Sequence, residues 1–294
     1  MRYWEEHSAS VRSHDSQTIQ IRKCLTLIGD IAVSEFTPAT QRKLRADLRA
    51  IGHRPAGVNR YVGCINAALR WAINEEHITA HPHIIPNDPV PESETRSMTI
   101  EELAALWDAA EEPYLQAFLM TLMCTLCRHE AAVDLRCFQC DLRRGTIRLN
   151  PEGRVQTKKR RPLILMPDVF RPWVEVAGVY IVEKRGRPLR SCIIPFRRAR
   201  DRAKLDKDVS PKVIRTTMNS LMGVRGVSDF VRGAFMGHRG ENSTAARHYD
   251  RPRIEFLRDG RDAIDHIVSE MGRIAVRPIS PETQNVRANC VLTI

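Results

Sequence analysis

The sequence has no long apolar run and no recognisable leader. Across its 294 residues, no apolar stretch approaches the roughly 18 residues that a helix needs to cross a bilayer. The first residues, MRYWEEHSAS, contain no basic region that leads into an apolar one, as a secretory signal would. The sequence therefore predicts a cytoplasmic protein with no membrane partner.

Acidic residues are few relative to basic ones. Lysine and arginine number 46 against 35 aspartates and glutamates, which gives a formal net charge of +11 and a pI near 9.6. A surplus of this size favours a polyanionic partner such as nucleic acid. A solvated basic face would give the same composition, so both interpretations stay open at this point.

The eight cysteines are predicted to be reduced, because a secretory signal is lacking. Four of them form two C-x-x-C pairs nine residues apart, Cys124 with Cys127 and Cys137 with Cys140. Thiolates at this spacing can hold a tetrahedral zinc ion. However, the first pair lies in the apolar run AFLMTLMCTLC, and the gap is shorter than the roughly 15 to 20 residues of the usual pattern. We therefore predict buried thiols and no metal or cofactor, with zinc as the alternative.

The first third of the chain is predicted to be helical. Apolar residues recur at helical spacing in residues 17–29 and 59–76. Between these segments, Thr37 can cap a helix that has Pro38 at its first position and ends near Ile51. Three short helices with apolar faces are expected to form a compact bundle.

Prolines interrupt the chain after this bundle. Four of them fall between residues 81 and 97, without sustained periodicity, which is typical of a linker. The pattern from Thr99 to Glu102 is a capping box that opens an amphipathic helix and, with it, a second domain. The predicted boundaries are 1–80 for a helical domain, 81–97 for the linker, 98–272 for the second domain and 273–294 for a C-terminal tail.

The second domain combines helices with a short β-favouring region. Thr146–Leu149 and Pro162–Met166 are predicted strands, and a turn and a basic run connect them. Helical patterns precede this region and return at 196–249 and 253–271. The predicted fold class is mainly α with a small antiparallel β-sheet, an α+β architecture.

Several segments of the sequence resemble the tyrosine recombinase, or phage integrase, family. NRYVGCINAALRWAINEEHI is similar to the family's helical core-binding domain, and the remainder of the chain is similar to its catalytic domain. TLCRHEAAVDLRCFQCDL resembles the first-arginine segment, QTKKRRPLILMP the lysine-bearing β-hairpin, and SPKVIRTTMNSL the His-x-x-Arg motif. GHRGENSTAARHYDRP resembles the segment with the third basic position and the nucleophile. The catalytic residues that the resemblance implies are Arg128, Lys158 (with Lys159 as a substitute), Lys212, Arg215, His238 and Tyr249.

The resemblance implies breakage and rejoining of DNA through a covalent intermediate. Tyr249 would attack a phosphodiester and form a 3′-phosphotyrosyl link with a free 5′-hydroxyl, which conserves the bond energy without ATP. Arg128 and Arg215 would stabilise charge on the nonbridging oxygens without a metal. Lys158 would give a proton to the leaving oxygen, and His238 would hydrogen-bond the phosphate.

Two positions depart from the family's usual pattern. Lys212 stands where histidine is usual, and a lysine, ordinarily protonated at neutral pH, is a poor acceptor for the Tyr249 proton. The acid that often follows the first arginine by three positions is replaced by Ala131, with Glu130 one position early. The general base and the acidic support of Arg128 are therefore unassigned.

The motif that contains Lys212 and Arg215 is predicted to be helical. Ser210 and Pro211 are well suited to begin a helix. Residues three apart lie on one face of a helix, so Lys212 and Arg215 can approach the same phosphate.

The leading hypothesis is a site-specific recombinase with double-stranded DNA as its partner. The resemblance implies a homotetramer on synapsed DNA sites and a nucleoid-associated location, with accessory DNA-bending proteins as further candidate partners. Two alternatives stay open: a type IB topoisomerase, which shares the chemistry, and a DNA-binding regulator of recombinase descent that no longer cleaves. The amphipathic segment 254–271 would dock on a neighbouring protomer by resemblance, or pack on its own domain.

Overall fold

The structure, a computed structural model, describes most of the chain in two compact units. The described residues are Tyr3, Glu6, 14–91, 96–157, 159–238 and 254–281. Two of the predicted site residues, Lys158 and Tyr249, lie outside them. The units comprise Met1–Ser93 and Glu94–Ile294, so the division falls within the predicted linker at 81–97.

The described part of the first unit contains three α-helices. They are α1 (His14–Ile28), α2 (Pro38–Ala50) and α3 (Pro55–Asn74). The Thr37 side chain caps α2 by accepting a hydrogen bond from the N–H of Thr40. Buried residues including Leu44, Leu48 and Val58 form one small core between the helices. The three predicted helices are confirmed, although α3 begins four residues before the predicted segment.

The proline-rich segment that follows α3 is anchored on this unit. The Gln41 side chain donates to the carbonyl of His83 at 2.6 Å and accepts the N–H of Ile85 at 3.0 Å. Asp88 forms an ion pair with the buried Arg45 at 3.0 Å. Because Gln41 and Arg45 are one turn apart on α2, this helix holds the segment through side-chain hydrogen bonds.

The second unit contains eight α-helices among its described residues. They are α4 (Ile100–Asp108), α5 (Pro113–Thr125), α6 (His129–Val133), α7 (Arg171–Glu175), α8 (Ile193–Arg202), α9 (Pro211–Val224), α10 (Asp229–Phe235) and α11 (Arg258–Ile274). The predicted capping box is confirmed, because Thr99 and Glu102 each accept the main-chain N–H of the other with their side chains. None of the described helices is both long and apolar enough to cross a membrane.

Short antiparallel strands complete the second unit. The strands are β1 (Cys140–Asp141), β2 (Thr146–Arg148), β3 (Leu163–Leu165), β4 (Glu183–Lys184) and β5 (Arg187–Pro188). The first three form one sheet in the order β1-β2-β3, with Ile147 opposite Ile164, and the last two form a separate hairpin. The predicted strands near 146–149 and 162–166 are confirmed, whereas β1, β4 and β5 were not predicted. The fold is mainly α with small antiparallel sheets, as predicted.

One hydrophobic core occupies the second unit. Helix α5 is buried along nearly its whole length, and α11 contributes Ile264 and Ile267 to the same core. Gly260 of α11 lies against Phe235 of α10, where an added Cβ would come within 2.6 Å of the ring. Segment 254–271 therefore packs on its own domain, which was the second of its two predicted alternatives.

The cysteines of the two C-x-x-C pairs contribute to this core. Cys124, Cys127 and Cys140 are buried, and burial raises the thiol pKa of Cys127 to about 11 and that of Cys140 to about 12. These thiols stay protonated at neutral pH and pack as small apolar groups, as predicted. Within the part of the chain that the structure describes, no three His, Cys, Asp or Glu side chains are grouped so that they could hold a metal ion.

Candidate active site

Arg215 lies on α9 and is buried in the second unit. Helix α9 begins at Pro211 with Ser210 at its N-cap, as predicted, although the serine side chain makes no capping hydrogen bond. The Arg215 guanidinium donates to the carbonyls of Leu126 at 2.6 Å and Met236 at 2.7 Å. With only 7% of its surface exposed, Arg215 ties the end of α5 to the end of α10.

The carbonyl of Leu126 is available because the backbone leaves α5 in an unusual conformation. Leu126 has a φ of 48°, in the left-handed region, which costs an L-residue on the order of 1–2 kcal/mol. Its side chain is fully buried, and its N–H still bonds the carbonyl of Leu122 at 3.0 Å. Core packing and the bond from Arg215 therefore hold a strained turn, a feature that clusters at functional sites.

The surroundings of Arg215 are electropositive. Burial and, after it, the charge of Arg128 lower the pKa of Arg215 from 12.5 to about 10, so the group is still cationic at neutral pH. Among the described residues, the hydrogen-bond acceptors of both guanidinium groups are main-chain carbonyls, not carboxylates. A buried cation without a counter-charge is unfavourable, and a phosphate group would supply that charge.

Arg128 comes from a different part of the chain and lies close to the same region. It immediately precedes α6, and its Nη1 donates to the carbonyl of Arg160, in the β2–β3 connection, at 3.4 Å. The same carbonyl lies against Gly237, where an added Cβ would be 2.6 Å away. The φ of Gly237, 66°, also favours glycine. The β2–β3 connection therefore contacts both the Arg128 segment and the end of α10.

His238 follows Gly237 directly after α10. Its main-chain N–H donates to the carbonyl of Gly233 at 2.8 Å, and its side chain is exposed. Desolvation and then the charges of Arg215 and Arg128 lower the pKa of His238. The imidazole is therefore neutral at pH 7, with one N–H donor and one acceptor nitrogen. The Arg215 guanidinium bonds the carbonyl of Met236, and the Arg160 carbonyl that accepts from Arg128 lies against Gly237. Arg128 and Arg215 are therefore both linked to the segment that leads into His238, and we call the three residues one cluster.

The other predicted site residues are either exposed or outside the described part of the chain. Lys212 lies one turn before Arg215 on α9, and its side chain is exposed where that of Arg215 is buried. Lys159, the substitute for Lys158, is exposed in the β2–β3 connection. The roles of Lys158 and Tyr249 stay predictions, because both residues lie outside the described part of the chain.

The sequence patterns give no role to His129, the neighbour of Arg128. Its Nε2 accepts the N–H of Cys192 at 3.2 Å, and its ring packs edge-on against Phe118. Burial lowers the pKa of His129, which suits a neutral ring that acts as an acceptor. His129 therefore fixes the start of α6, directly beside the guanidinium-bearing residue.

Comparisons with known proteins were made by sequence and by fold. No protein-family model matches the chain, and no curated protein matches it. The fold is similar to that of lambda integrase (75–356), solved as a dimer bound to a COC′ core site, with a TM-score of 0.65, 17% identity, and coverage of 86% of this chain and 97% of that one. For a lambda integrase tetramer bound to a Holliday junction, the TM-score is 0.63 and the identity 18%, with coverage of 86% and 78%.

The fold is also similar to that of a transposon integrase. The Tn1549 transposon integrase (aa 82–397), in complex with circular intermediate DNA, has a TM-score of 0.65 and 13% identity, with coverage of 88% of this chain and 96% of that one. At these identities the similarity establishes the fold. The predicted integrase-type fold is therefore confirmed.

Proposed function

We propose that this chain is a site-specific DNA recombinase of the tyrosine recombinase type. The observation that carries the proposal is the cluster of Arg128, Arg215 and His238, two cations and a neutral imidazole that come from distant parts of the chain. The fold in which they meet is shared with integrases solved on DNA. The net charge of +11 fits the same polyanionic partner.

The chemistry proposed for this cluster is a phosphoryl transfer to Tyr249. The phenol oxygen forms a bond to the scissile phosphorus while the bond from phosphorus to the 5′-oxygen breaks, and Lys158 gives that oxygen a proton. Arg128 and Arg215 stabilise the charge that develops on the nonbridging oxygens. Attack of the freed 5′-hydroxyl reverses these steps and releases Tyr249, so no ATP is consumed.

His238 is the described group best suited to accept the Tyr249 proton. Lys212 is ordinarily protonated at neutral pH and supplies charge instead. A neutral imidazole can donate one N–H to the phosphate and accept a proton at its other nitrogen. We therefore assign His238 to the phosphate contact and, in this chain, to the general base as well.

This assignment predicts how cleavage depends on pH. Desolvation and, after it, neighbouring positive charge lower the pKa of His238 below its usual value of 6.5, so the neutral form persists to lower pH than in a free imidazole. We expect kcat/KM for cleavage to fall towards acid pH as His238 gains a proton, with a midpoint below about pH 6.5. His238→Asn does not titrate and should lose this decline; an acid limb that survives in the variant would assign the titration to another group.

The proposed partner is double-stranded DNA, bound by a homotetramer on two synapsed sites. The lambda integrase tetramer bound to a Holliday junction supports this stoichiometry through the shared fold. With DNA as substrate, a nucleoid-associated location and assistance by DNA-bending proteins follow as part of the proposal.

The function can be tested with nicked suicide duplexes tiled across the DNA that flanks the gene for this chain. We expect a covalent protein–DNA adduct that forms in the presence of a chelator, because the two guanidinium groups replace a metal in stabilising the phosphate. Mass spectrometry of the adduct should identify Tyr249 as the linked residue. Chelator-sensitive cleavage would indicate metal-assisted hydrolysis instead.

Two further outcomes of this experiment discriminate the alternatives. DNA binding without any adduct would favour a regulator that no longer cleaves. An adduct with relaxation of supercoiled DNA, but no recombination between two sites, would favour a type IB topoisomerase.

A further inference from the structure

Arg128 lacks an acidic neighbour at the position where the resembling family often has one. Ala131 occupies that position and is buried in the core. The hydrogen bond from Arg128 goes instead to the main-chain carbonyl of Arg160. A carbonyl can orient an arginine in this way only when the loop that bears it is itself fixed in place.

Arg161, the residue after Arg160 in the β2–β3 connection, is fixed by two sets of contacts. The Arg161 guanidinium, only 11% exposed, pairs with Asp134 at 2.6 Å. The Gln156 side chain closes the loop from the other side, because it donates to the Arg161 carbonyl at 2.7 Å and accepts the Arg161 N–H at 3.2 Å. Arg161 is therefore held through both its side chain and its main chain.

The geometry of α6 joins these contacts into one unit. Arg128 immediately precedes this five-residue helix, and Asp134 immediately follows it. The two flanking residues contact Arg160 and Arg161, which are adjacent in sequence. A helix of five residues thus meets the β2–β3 connection at two points, one at each of its ends.

We propose that the ion pair between Asp134 and Arg161 is the positioning device for Arg128, in the place of a carboxylate beside that arginine. The inference deepens the proposed function and rests on it. Asp134 and Arg161 are positioning residues: they act on the phosphate through Arg128, by fixing the Arg160 carbonyl.

A carbonyl support differs from a carboxylate support in its effect on charge. A carbonyl orients the guanidinium but leaves its full positive charge for the phosphate. The influence of Arg128 on the pKa values of Arg215 and His238 fits this uncompensated charge.

The experiment compares Asp134→Asn with Glu270→Gln in the full chain. Asp134→Asn keeps the shape of the side chain and removes its charge, and we expect the single-turnover cleavage rate to fall roughly 10- to 100-fold with duplex affinity unchanged. Glu270→Gln breaks the ion pair of Glu270 with Arg225, elsewhere in the same unit, and should cleave like the unaltered protein. Equal rates for the two variants would overturn the inference.

Two further variants separate positioning from a general loss of structure. The exchange Asp134→Arg with Arg161→Asp restores an ion pair of opposite polarity and should recover most of the cleavage rate. The variant Arg128→Lys has no guanidinium fork to orient. In that background, Asp134→Asn should reduce the cleavage rate by a much smaller factor than it does when Arg128 is present. If Asp134→Asn reduces the cleavage rate by the same factor in both backgrounds, or if the exchange recovers no activity, a role through Arg128 is contradicted.

Failure of this inference can be distinguished from failure of the proposed function. Where Asp134→Asn does not fold, Arg161→Gln tests the same link, because it removes the charge that pairs with Asp134; a wild-type rate in that variant would count against the clamp. Absence of a Tyr249 adduct with the unaltered protein would reject the recombinase proposal. A normal adduct with normal cleavage by Asp134→Asn would reject the clamp alone.

Discussion

Replacing Arg215 by alanine is expected to lower the rate of DNA cleavage by on the order of 10²-fold or more. The guanidinium is buried and already oriented by the carbonyls of Leu126 and Met236, so it can meet the developing charge without reorganisation. Binding of the duplex depends on many other basic residues and should weaken far less. Single-turnover cleavage and equilibrium binding, measured at the same salt concentration, give the comparison.

Arg200 provides a matched control for Arg215. It is also a buried arginine of the second unit, and it donates to the carbonyl of Lys207 at 2.8 Å and pairs with Asp201. Arg200→Ala should lower the melting temperature without reducing the cleavage rate per folded molecule. Parallel losses of binding and cleavage in Arg215→Ala would instead make Arg215 a contact to the DNA backbone.

Replacing Tyr249 by phenylalanine is expected to abolish the covalent adduct while DNA affinity is retained. The substitution removes only the hydroxyl oxygen that would bond to phosphorus, so the proposed nucleophile is lost while the ring is kept. The measurement is denaturing electrophoresis of the protein with a labelled suicide duplex, alongside a binding assay. A variant that still forms the adduct would reject Tyr249 as the nucleophile.

Tyr180→Phe is the control for this substitution. Tyr180 lies in the same unit and packs its ring against the guanidinium of Arg136, 5.3 Å from the ring centroid. The ring persists in phenylalanine, so adduct formation should be unchanged. Loss of the adduct in Tyr180→Phe would mean that the assay responds to tyrosine substitutions in general.

Helix starts were predictable where the decisive interactions lie within a few residues. Thr37 and Thr99 each cap a helix through a bond to a residue three positions later, and that spacing is visible in the sequence. The start of α3 at Pro55 was not visible, because proline is tolerated in the first turn but the residues after it carry little apolar signal. The strands β4 and β5 are two residues long, too short for any periodicity to appear.

The sequence proposes residues for the candidate site, and their roles stay predictions, but it gives no sign of what holds those residues in place. The resemblance singled out Arg128, Arg215 and His238, and these three do share one electrostatic environment. The partners of the two guanidinium groups are the main-chain carbonyls of Leu126, Met236 and Arg160, and every residue type has such a carbonyl. Side-chain identity therefore gives no signal for them, and only the fold determines which carbonyls are near.

The mutual repulsion of Arg128 and Arg215 couples ligand binding to the stability of the fold. Holding these two cations near each other in the native state raises its free energy, whereas in the unfolded chain they separate and the penalty disappears. An anion that bridges them lowers the free energy of the native state alone, and the unfolding equilibrium shifts accordingly. If the chain binds DNA as proposed, thermodynamic linkage predicts that DNA stabilises this domain, and that the melting temperature rises as the phosphate site is occupied.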